Sequence, residues 1–93
     1  MIFEKKPSFE MAWKALETQR RAKAEEALTK LVHFFEGGSK PEGLGLKKLR
    51  DDFWEIRTDL KDRILFRFQR GHIDFILIGN HNDIHRALKR QYG

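Results

Sequence analysis

Four charged residues in the C-terminal half of the chain alternate with apolar residues along two predicted strands. They are Glu55, Arg57, Arg63 and Arg67. Because residues two apart in a strand share a face, the alternation gathers these charges on one side of a sheet and apolar side chains on the other. Two arginines on neighbouring strands suit a polyanionic partner, but charges on a strand are equally typical of a solvent-exposed face. The pattern alone leaves both interpretations open.

The positive charge of the chain is concentrated in the same half. The net charge is +5 and the sequence pI is about 9.7. Residues 1–46 contain 8 Lys/Arg and 7 Asp/Glu, a balance of +1, whereas residues 47–93 contain 11 and 7, a balance of +4. A field of this sign favours polyanions, and nucleic acid is the first candidate.

His81 and His85 have the i, i+4 spacing at which two imidazoles on one helix can bind a metal ion. Such a pair needs a third ligand, and the HExxH pattern of helical zinc sites is absent because Asn82 follows His81. We therefore predict no metal site. The glycine-rich segment 37–45 lacks the Gly-Lys-Ser/Thr ending of a phosphate-binding loop, so we predict no nucleotide cofactor either.

Length and composition exclude several classes of protein. With 93 residues the chain is expected to form one domain, residues 1–93. It contains no cysteine, which excludes disulfides, thiolate zinc sites and a cysteine nucleophile. No apolar stretch reaches the ~18 residues of a membrane span, and residues 1–6 lack the order of a signal peptide. We expect a cytoplasmic protein.

The N-terminal half predicts a strand followed by helices. Residues 2–6 alternate in part and are stopped by Pro7, which is typical of an edge strand. Apolar residues then recur at helical spacing over residues 9–36, with Ser8 as the expected N-cap and Gly37-Gly38 as the stop. Two antiparallel helices and one long bent helix fit this pattern equally well.

The C-terminal half predicts three antiparallel strands after a loop over residues 37–49. The strands cover residues 53–58, 63–69 and 73–79, and a short last helix follows, capped by Asn82 or Asp83. The third strand is almost wholly apolar, so we expect it to be buried on both faces. The side chains expected to pack on the helices are Trp54, Ile56, Ile64, Phe66 and Phe68. The fold class is α+β, with a mixed, mainly antiparallel sheet of four strands.

Two segments resemble the RelE/ParE superfamily of toxins from type II toxin–antitoxin systems. They are "LRDDFWEIRTDLKDR" at residues 49–63 and "ILIGNHNDIH" at residues 76–85. The resemblance implies a RelE-like fold, with an N-terminal helical hairpin and a short C-terminal helix. It favours the RelE/HigB-like branch, whose members cut mRNA in the ribosomal A site without a metal ion or other cofactor. In that reaction the ribose 2′-OH attacks the adjacent phosphate.

The same resemblance implies roles for five residues. Arg63 matches the most regular arginine of the family and would bind the scissile phosphate, with Arg57 as a second phosphate ligand. Glu55 would act as the base or only hold the arginines in place. His81 and His85 lie where members keep His, Arg or Tyr, and either imidazole could serve as acid or base. The alternative for Arg63 is a salt bridge to Glu55.

Further basic residues could follow the RNA backbone and fix its position without reading its sequence. They are Lys47, Lys48, Arg50, Lys61 and Arg67. A solvent-exposed surface is an equally good explanation for these side chains. Members of the family commonly stack a base on a C-terminal tyrosine, but here the only tyrosine is Tyr92, so Phe75 or His85 would have to substitute.

The resemblance also implies partners. They are a cognate antitoxin protein, mRNA and the ribosome, and the toxin–antitoxin complex would bind operator DNA through the antitoxin. An acidic antitoxin is expected, because residues 47–93 are basic. The alternative within the same superfamily is a toxin without enzymatic activity that binds DNA gyrase. The combination of acid–base residues and arginines favours the nuclease.

Overall fold

The computed structural model describes residues 1–91, in which three helices pack on a five-stranded sheet. The elements are β1 (Ile2–Lys5), α1 (Pro7–Lys14), α2 (Thr18–Phe35), β2 (Lys47–Arg50), β3 (Phe53–Arg57), β4 (Arg63–Gln69), β5 (His72–Gly79) and α3 (His81–Gln91). The strand order is β1-β5-β4-β3-β2; β1 runs parallel to β5 and the other neighbours are antiparallel. The predicted α+β class with a mixed, mainly antiparallel sheet is confirmed. No helix in these residues is long and apolar enough to cross a membrane.

The predicted number of four strands is wrong, because β2 lies in the segment that we expected to be a loop. Lys47 and Lys48 pair with Glu55 and Trp54 of β3 at the edge of the sheet. Short edge strands that carry lysines are common, since exposed charge discourages pairing with another chain. Such a strand is stabilised by its neighbour and shows little apolar alternation of its own.

One face of the sheet forms the main core, as predicted. Ile56, Ile64 and Phe66 are fully buried there. The helices contribute Phe9 from α1 and Ala24, Ala27 and Leu31 from α2. Phe35 at the end of α2 lies edge-on to Phe66, with ring centroids 6.1 Å apart. The apolar alternation of β3 and β4 therefore determines the face on which α1 and α2 pack.

The opposite face carries a second apolar cluster, which the sequence analysis did not predict. α3 packs there, and the cluster consists of Phe53, Leu65, Ile76, Ile84 and Leu88. The charged residues of this face are therefore not simply displayed to solvent, and Glu55 is buried. Burial of β5 on both faces is confirmed. A bulge in β5 opposite Leu65 and Phe66 turns Ile76 and Leu77 towards α3, whereas Phe75 and Ile78 face the main core.

The N-terminal helical pattern forms two helices rather than one bent helix. α1 begins at Pro7 after the N-cap Lys6, so the predicted N-cap Ser8 is wrong. Pro suits the first turn because its missing N–H would have no helical partner there. The Ser8 hydroxyl instead donates to the carbonyl oxygen of Ile76 and links α1 to β5. α2 ends at Phe35, and Gly37 follows with φ +99°, which supports the predicted glycine stop.

A bidentate ion pair joins α2 to the turn between β3 and β4. Arg20 donates to both carboxylate oxygens of Asp62 at 2.8 and 2.7 Å, and the Asp62 side chain is only 4% exposed. The hydrogen bond to Asp62 raises the pKa of Arg20 above its ordinary value. The carbonyl oxygen of Asp62 also accepts hydrogen bonds from the N–H groups of Thr58 and Asp59. This network fixes the turn immediately before Arg63.

The first testable prediction concerns this ion pair. Arg20→Ala should lower the free energy of unfolding by about 2–3 kcal/mol, because it leaves a buried carboxylate without its charged donor. Lys23→Ala is the matched control on the same helix, since Lys23 contacts the more exposed Asp59 at 3.3 Å. The control should lower the free energy of unfolding much less, because its ion pair is exposed to solvent. Urea denaturation measures both values, and equal losses would contradict the structural importance of Arg20.

Candidate functional site

An open cleft of about 670 Å³ lies between the charged face of the sheet and α3. Its lining residues are Gly45, Lys47, Lys48, Leu49, Arg50, Glu55, Arg57, Arg63, His81, His85, Leu88 and Lys89. All five residues with predicted catalytic roles are among them. The structure thus brings together side chains from β3, β4 and α3 that are up to 30 positions apart in the sequence. Their roles stay predictions at this point.

Glu55 and Arg63 form a buried ion pair at one side of the cleft. The Glu55 side chain is 4% exposed and the Arg63 side chain 19%, with Arg63 Nη1 donating to Glu55 Oε2 at 2.9 Å. Glu55 Oε1 and Arg63 Nε are buried and have no hydrogen-bond partner within residues 1–91. The salt bridge that we considered as the alternative role of Arg63 is therefore present, and Arg63 lines the cleft as well.

Arg57 is directly opposite Arg63 in the antiparallel ladder and is exposed. Its backbone N–H donates to the carbonyl oxygen of Leu44 at 2.7 Å, which holds the loop before β2 against β3. Gly45 follows with φ +62°, and a Cβ atom there would lie 3.1 Å from the Cβ of Arg57. Glycine therefore permits both the backbone conformation and the close approach to Arg57.

The start of α3 is fixed by a reciprocal cap. Asn80 Oδ1 accepts a hydrogen bond from the Asp83 N–H at 2.8 Å, and Asp83 Oδ2 accepts one from the Asn80 N–H at 2.9 Å. Asn80 is thus the N-cap, and the expected N-cap at Asn82 or Asp83 is wrong. A Cβ atom at Gly79 would lie 2.6 Å from Asp83 Oδ2, so the cap needs a residue without a side chain at that position.

This cap and the buried side of α3 hold the two histidines over the cleft. His81 and His85 are exposed, and their ring centroids are 4.2 Å apart. Lys89 extends the same stripe and also lines the cleft. Lys89 was not predicted from the sequence, although one more step of the i, i+4 spacing after His85 leads to it.

Arg50 holds the other end of α3. Its Nη2 donates to the carbonyl oxygen of Leu88 at 2.9 Å. The β2–β3 register shifts between Lys48 and Arg50, and Asp51 in the following turn has φ +46°. A bulge of this kind re-aims a side chain, which here allows Arg50 to reach α3. Arg50 was predicted to bind RNA, and this hydrogen bond adds a structural contact that the sequence did not indicate.

The remaining predicted RNA-binding residues divide into two groups. Lys47 is exposed at the rim of the cleft. Lys48 is also exposed and contributes to the lining, but its ammonium lies 6.0 Å from the ring centroid of Trp54. Lys61 and Arg67 do not line it. Lys61 lies in a separate hollow beside Asp62, and the Arg67 guanidinium lies 5.5 Å from the ring centroid of Phe53.

The predicted substitutes for a base-stacking tyrosine also differ. Phe75 is 3% exposed and belongs to the main core, so it cannot stack on a base. Tyr92 lies outside the residues that the structure describes. His85 is exposed in the cleft, where its ring lies next to that of His81, and its contact with a base stays a prediction.

Comparison with known proteins identifies the fold. No family model and no curated protein sequence matches the chain. Solved structures do match. YafQ in the Escherichia coli DinJ–YafQ toxin–antitoxin complex has a TM-score of 0.71 at 11% identity, covering 88% of this chain and 93% of the other. The RelB–RelE antitoxin–toxin complex from Methanococcus jannaschii has a TM-score of 0.66 at 16% identity, and the match covers 92% of this chain and 96% of the other. The YoeB dimer from Staphylococcus aureus has a TM-score of 0.65 at 15% identity, and the match covers 87% of this chain and 97% of the other.

The chain therefore has the fold of the RelE/ParE superfamily of toxins. The resemblance noted in the sequence is confirmed at the level of the fold. At 11–16% identity, the residues of the cleft must be judged from their own geometry.

The second prediction concerns the contact between β2 and α3. Arg50→Ala removes a hydrogen bond from a charged donor, which is worth about 1.5–3 kcal/mol. Amide hydrogens of α3 should then exchange roughly 10–100-fold faster, whereas those of β4 should keep their rates. Lys47→Ala, which changes an exposed residue of the same strand, is the control. Unchanged exchange in α3 of Arg50→Ala would show that this contact does not hold the helix.

Proposed function

We propose that the chain is the toxin of a toxin–antitoxin system and an endoribonuclease that cleaves mRNA on the ribosome. The observation that supports this proposal is the meeting of two arginines and two exposed histidines in one cleft. Cleavage by attack of the ribose 2′-OH needs a base, an acid and cations beside the phosphate, and these side chains include all three.

The arginines suit the phosphate. Glu55 holds one side of the Arg63 guanidinium, and this leaves Arg63 oriented before substrate binds. Preorganised donors of this kind stabilise the charge of the pentacoordinate phosphorane without reorganising during the reaction. Arg57, the ladder partner of Arg63, is the second phosphate ligand. A guanidinium can donate two parallel hydrogen bonds to phosphate oxygens, and a lysine ammonium cannot.

The histidines suit the proton transfers better than Glu55 does. A base must come within hydrogen-bond distance of the 2′-OH, and both carboxylate oxygens of Glu55 are either buried or bound to Arg63. His81 and His85 are both exposed to the cleft. One imidazole takes the proton of the ribose 2′-OH while the 2′-oxygen attacks phosphorus. The other imidazole protonates the leaving 5′-oxygen. The products are a 2′,3′-cyclic phosphate and a 5′-hydroxyl, and the step uses only these side chains.

Lysines at the rim provide contacts to the RNA backbone that do not depend on sequence. Lys47 and Lys89 lie beside the arginines around the cleft. Each phosphate contact releases counterions, so affinity for RNA falls as salt rises. Arg50 can add its charge to this field while it holds α3.

An acidic antitoxin is the proposed protein partner, in the cytoplasm. Two of the solved neighbours are toxin–antitoxin complexes, RelB–RelE and DinJ–YafQ. The cluster of positive side chains around the cleft suits an acidic segment that covers it and excludes RNA. The complex would bind operator DNA through the antitoxin. Because the attraction is electrostatic, association should weaken as salt rises.

The third prediction tests the role of Arg63 without leaving a buried charge unpaired. Arg63→Ala alone would leave the buried Glu55 carboxylate without its charged partner, which lowers the free energy of unfolding by about 3–5 kcal/mol. The double variant Glu55→Gln/Arg63→Gln replaces the ion pair with a neutral pair and keeps most of the side-chain volume. It should lose about 10²–10³-fold in RNA cleavage, and Arg63→Lys should lose less than this.

Arg67→Gln is the matched control, because Arg67 lies on the same strand and outside the cleft. Its cleavage rate should stay close to that of the unchanged protein. Cleavage is measured on mRNA with and without ribosomes, and thermal unfolding confirms that each variant folds. A folded double variant with full activity would exclude Arg63 as a phosphate ligand.

The fourth prediction concerns the histidines. His81→Ala and His85→Ala should each reduce cleavage by about 10²–10⁴-fold, because each removes one proton-transfer group. If one variant keeps full activity, the proton transfer does not depend on that imidazole, and the two-histidine mechanism is contradicted.

The gyrase-binding alternative is tested in parallel. A non-enzymatic toxin of this fold would inhibit supercoiling by DNA gyrase and leave RNA intact. We expect no inhibition of supercoiling by this chain at concentrations that cleave mRNA. Inhibition of supercoiling without RNA cleavage would replace the proposed function.

A further inference from the structure

The two histidines of α3 have a feature that proton transfer does not require. Their ring centroids are 4.2 Å apart, with an angle of 46° between the ring planes. Neither imidazole has a hydrogen-bond partner within residues 1–91, whereas His72 is bound to Asp74 at 2.9 Å. Two neighbouring imidazoles with uncommitted nitrogens form a potential chelating pair.

We propose that His81 and His85 together bind one divalent transition-metal ion, such as Zn²⁺ or Ni²⁺, and that the bound ion inhibits the cleft. The binding part depends only on the geometry of α3. The inhibition rests on the proposed nuclease function, in which both imidazoles transfer protons.

The observed spacing agrees with chelation. Imidazole nitrogens coordinate zinc at about 2.0–2.1 Å, and two rings bound to one ion therefore have centroids within roughly 5 Å of each other. His81 and His85 already meet this requirement, with their ring centroids 4.2 Å apart. No metal site was predicted from the sequence, because no third protein ligand accompanies the pair. In the open cleft, water can take that place, at the cost of weaker binding.

The helix that carries the pair is rigidly placed. Ile84 lies between the histidines in the sequence and is fully buried, and Leu88 one turn later is 6% exposed. The Asn80–Asp83 cap fixes the N-terminal end of α3. Both ligands are thus held near their binding positions before the ion arrives, which lowers the entropic cost of binding.

The surroundings select the class of ion. Mg²⁺ and Ca²⁺ need oxygen ligands, and the carboxylates near the pair are already engaged. Glu55 is bound to Arg63, and Asp83 is bound to the Asn80 N–H and to Arg86. Imidazole nitrogen favours zinc, copper and nickel instead. The positive side chains of the cleft oppose any cation, so binding should be reversible and weaker than at a three-histidine site.

A second cluster could compete for metal ions at the opposite edge of the sheet. Glu4, His72 and Asp74 have ligand atoms that all lie within 4.8 Å of one another. The Lys6 ammonium is already 2.8 Å from Glu4 and 3.8 Å from Asp74, so it occupies the place of a cation. This cluster provides a control for the experiment.

The experiment titrates ZnCl₂, and separately NiCl₂, into the untagged chain by isothermal titration calorimetry without RNA. We expect one ion per chain. Loss of an outer-sphere partner typically weakens metal binding by roughly 10–100-fold. His81→Ala and His85→Ala each remove a direct ligand, so each should weaken binding by more than this. His72→Ala should leave the affinity unchanged. The ion should also raise the melting temperature of the unchanged protein, but not that of the two α3 variants.

Absence of binding overturns the proposal, and so does binding that survives in His81→Ala and disappears in His72→Ala.

Inhibition is then measured by RNA cleavage at increasing Zn²⁺. Half-inhibition should occur at the dissociation constant measured by calorimetry, and EDTA should restore the rate. Cleavage that is insensitive to a saturating ion overturns the inhibitory part. A chain that binds Zn²⁺ through the pair but never cleaves RNA supports the metal site and contradicts the nuclease function.

Discussion

The ion pair between Glu55 and Arg63 is the interaction on which the candidate site depends. Removing two charges from water costs several kcal/mol per ion, and their attraction repays this only with good geometry. The register of β3 and β4 provides that geometry, since it places Arg63 opposite Arg57 and beside Glu55. The pair in turn leaves a guanidinium oriented towards an open cleft. A surface arginine without this support would have to be ordered by its ligand.

The cleft exists because α3 covers only part of the charged face. Ile84 and Leu88 bury the helix against the sheet, and the polar stripe of the same helix faces the arginines. Contacts at both ends hold this position, the Asn80–Asp83 cap at one end and Arg50 at the other. The apolar and polar sides of one short helix thus close the second core and complete the site.

The sequence predicted those parts of the fold that repeat a local pattern. The alternation in β3 and β4 correctly placed Ile56, Ile64 and Phe66 in the core. It did not predict β2, whose lysines carry no apolar period, or the packing of α3 on the opposite face. The bidentate contact of Arg20 with Asp62 could not be predicted from the sequence either, since 42 positions separate two residues that each resemble surface charges. The site residues were proposed from a resemblance, and only the folded chain brings them into one cleft.

We propose that the cleft promotes attack by a ribose 2′-OH on the adjacent phosphate. The decisive measurement is cleavage of a ribosome-bound mRNA that carries a single 2′-deoxynucleotide at the cut position. We expect the unmodified RNA to yield a 2′,3′-cyclic phosphate and the deoxy substitution to abolish the cut at that position. Cleavage of the deoxy-substituted linkage, or a product with a 5′-phosphate, would contradict this mechanism.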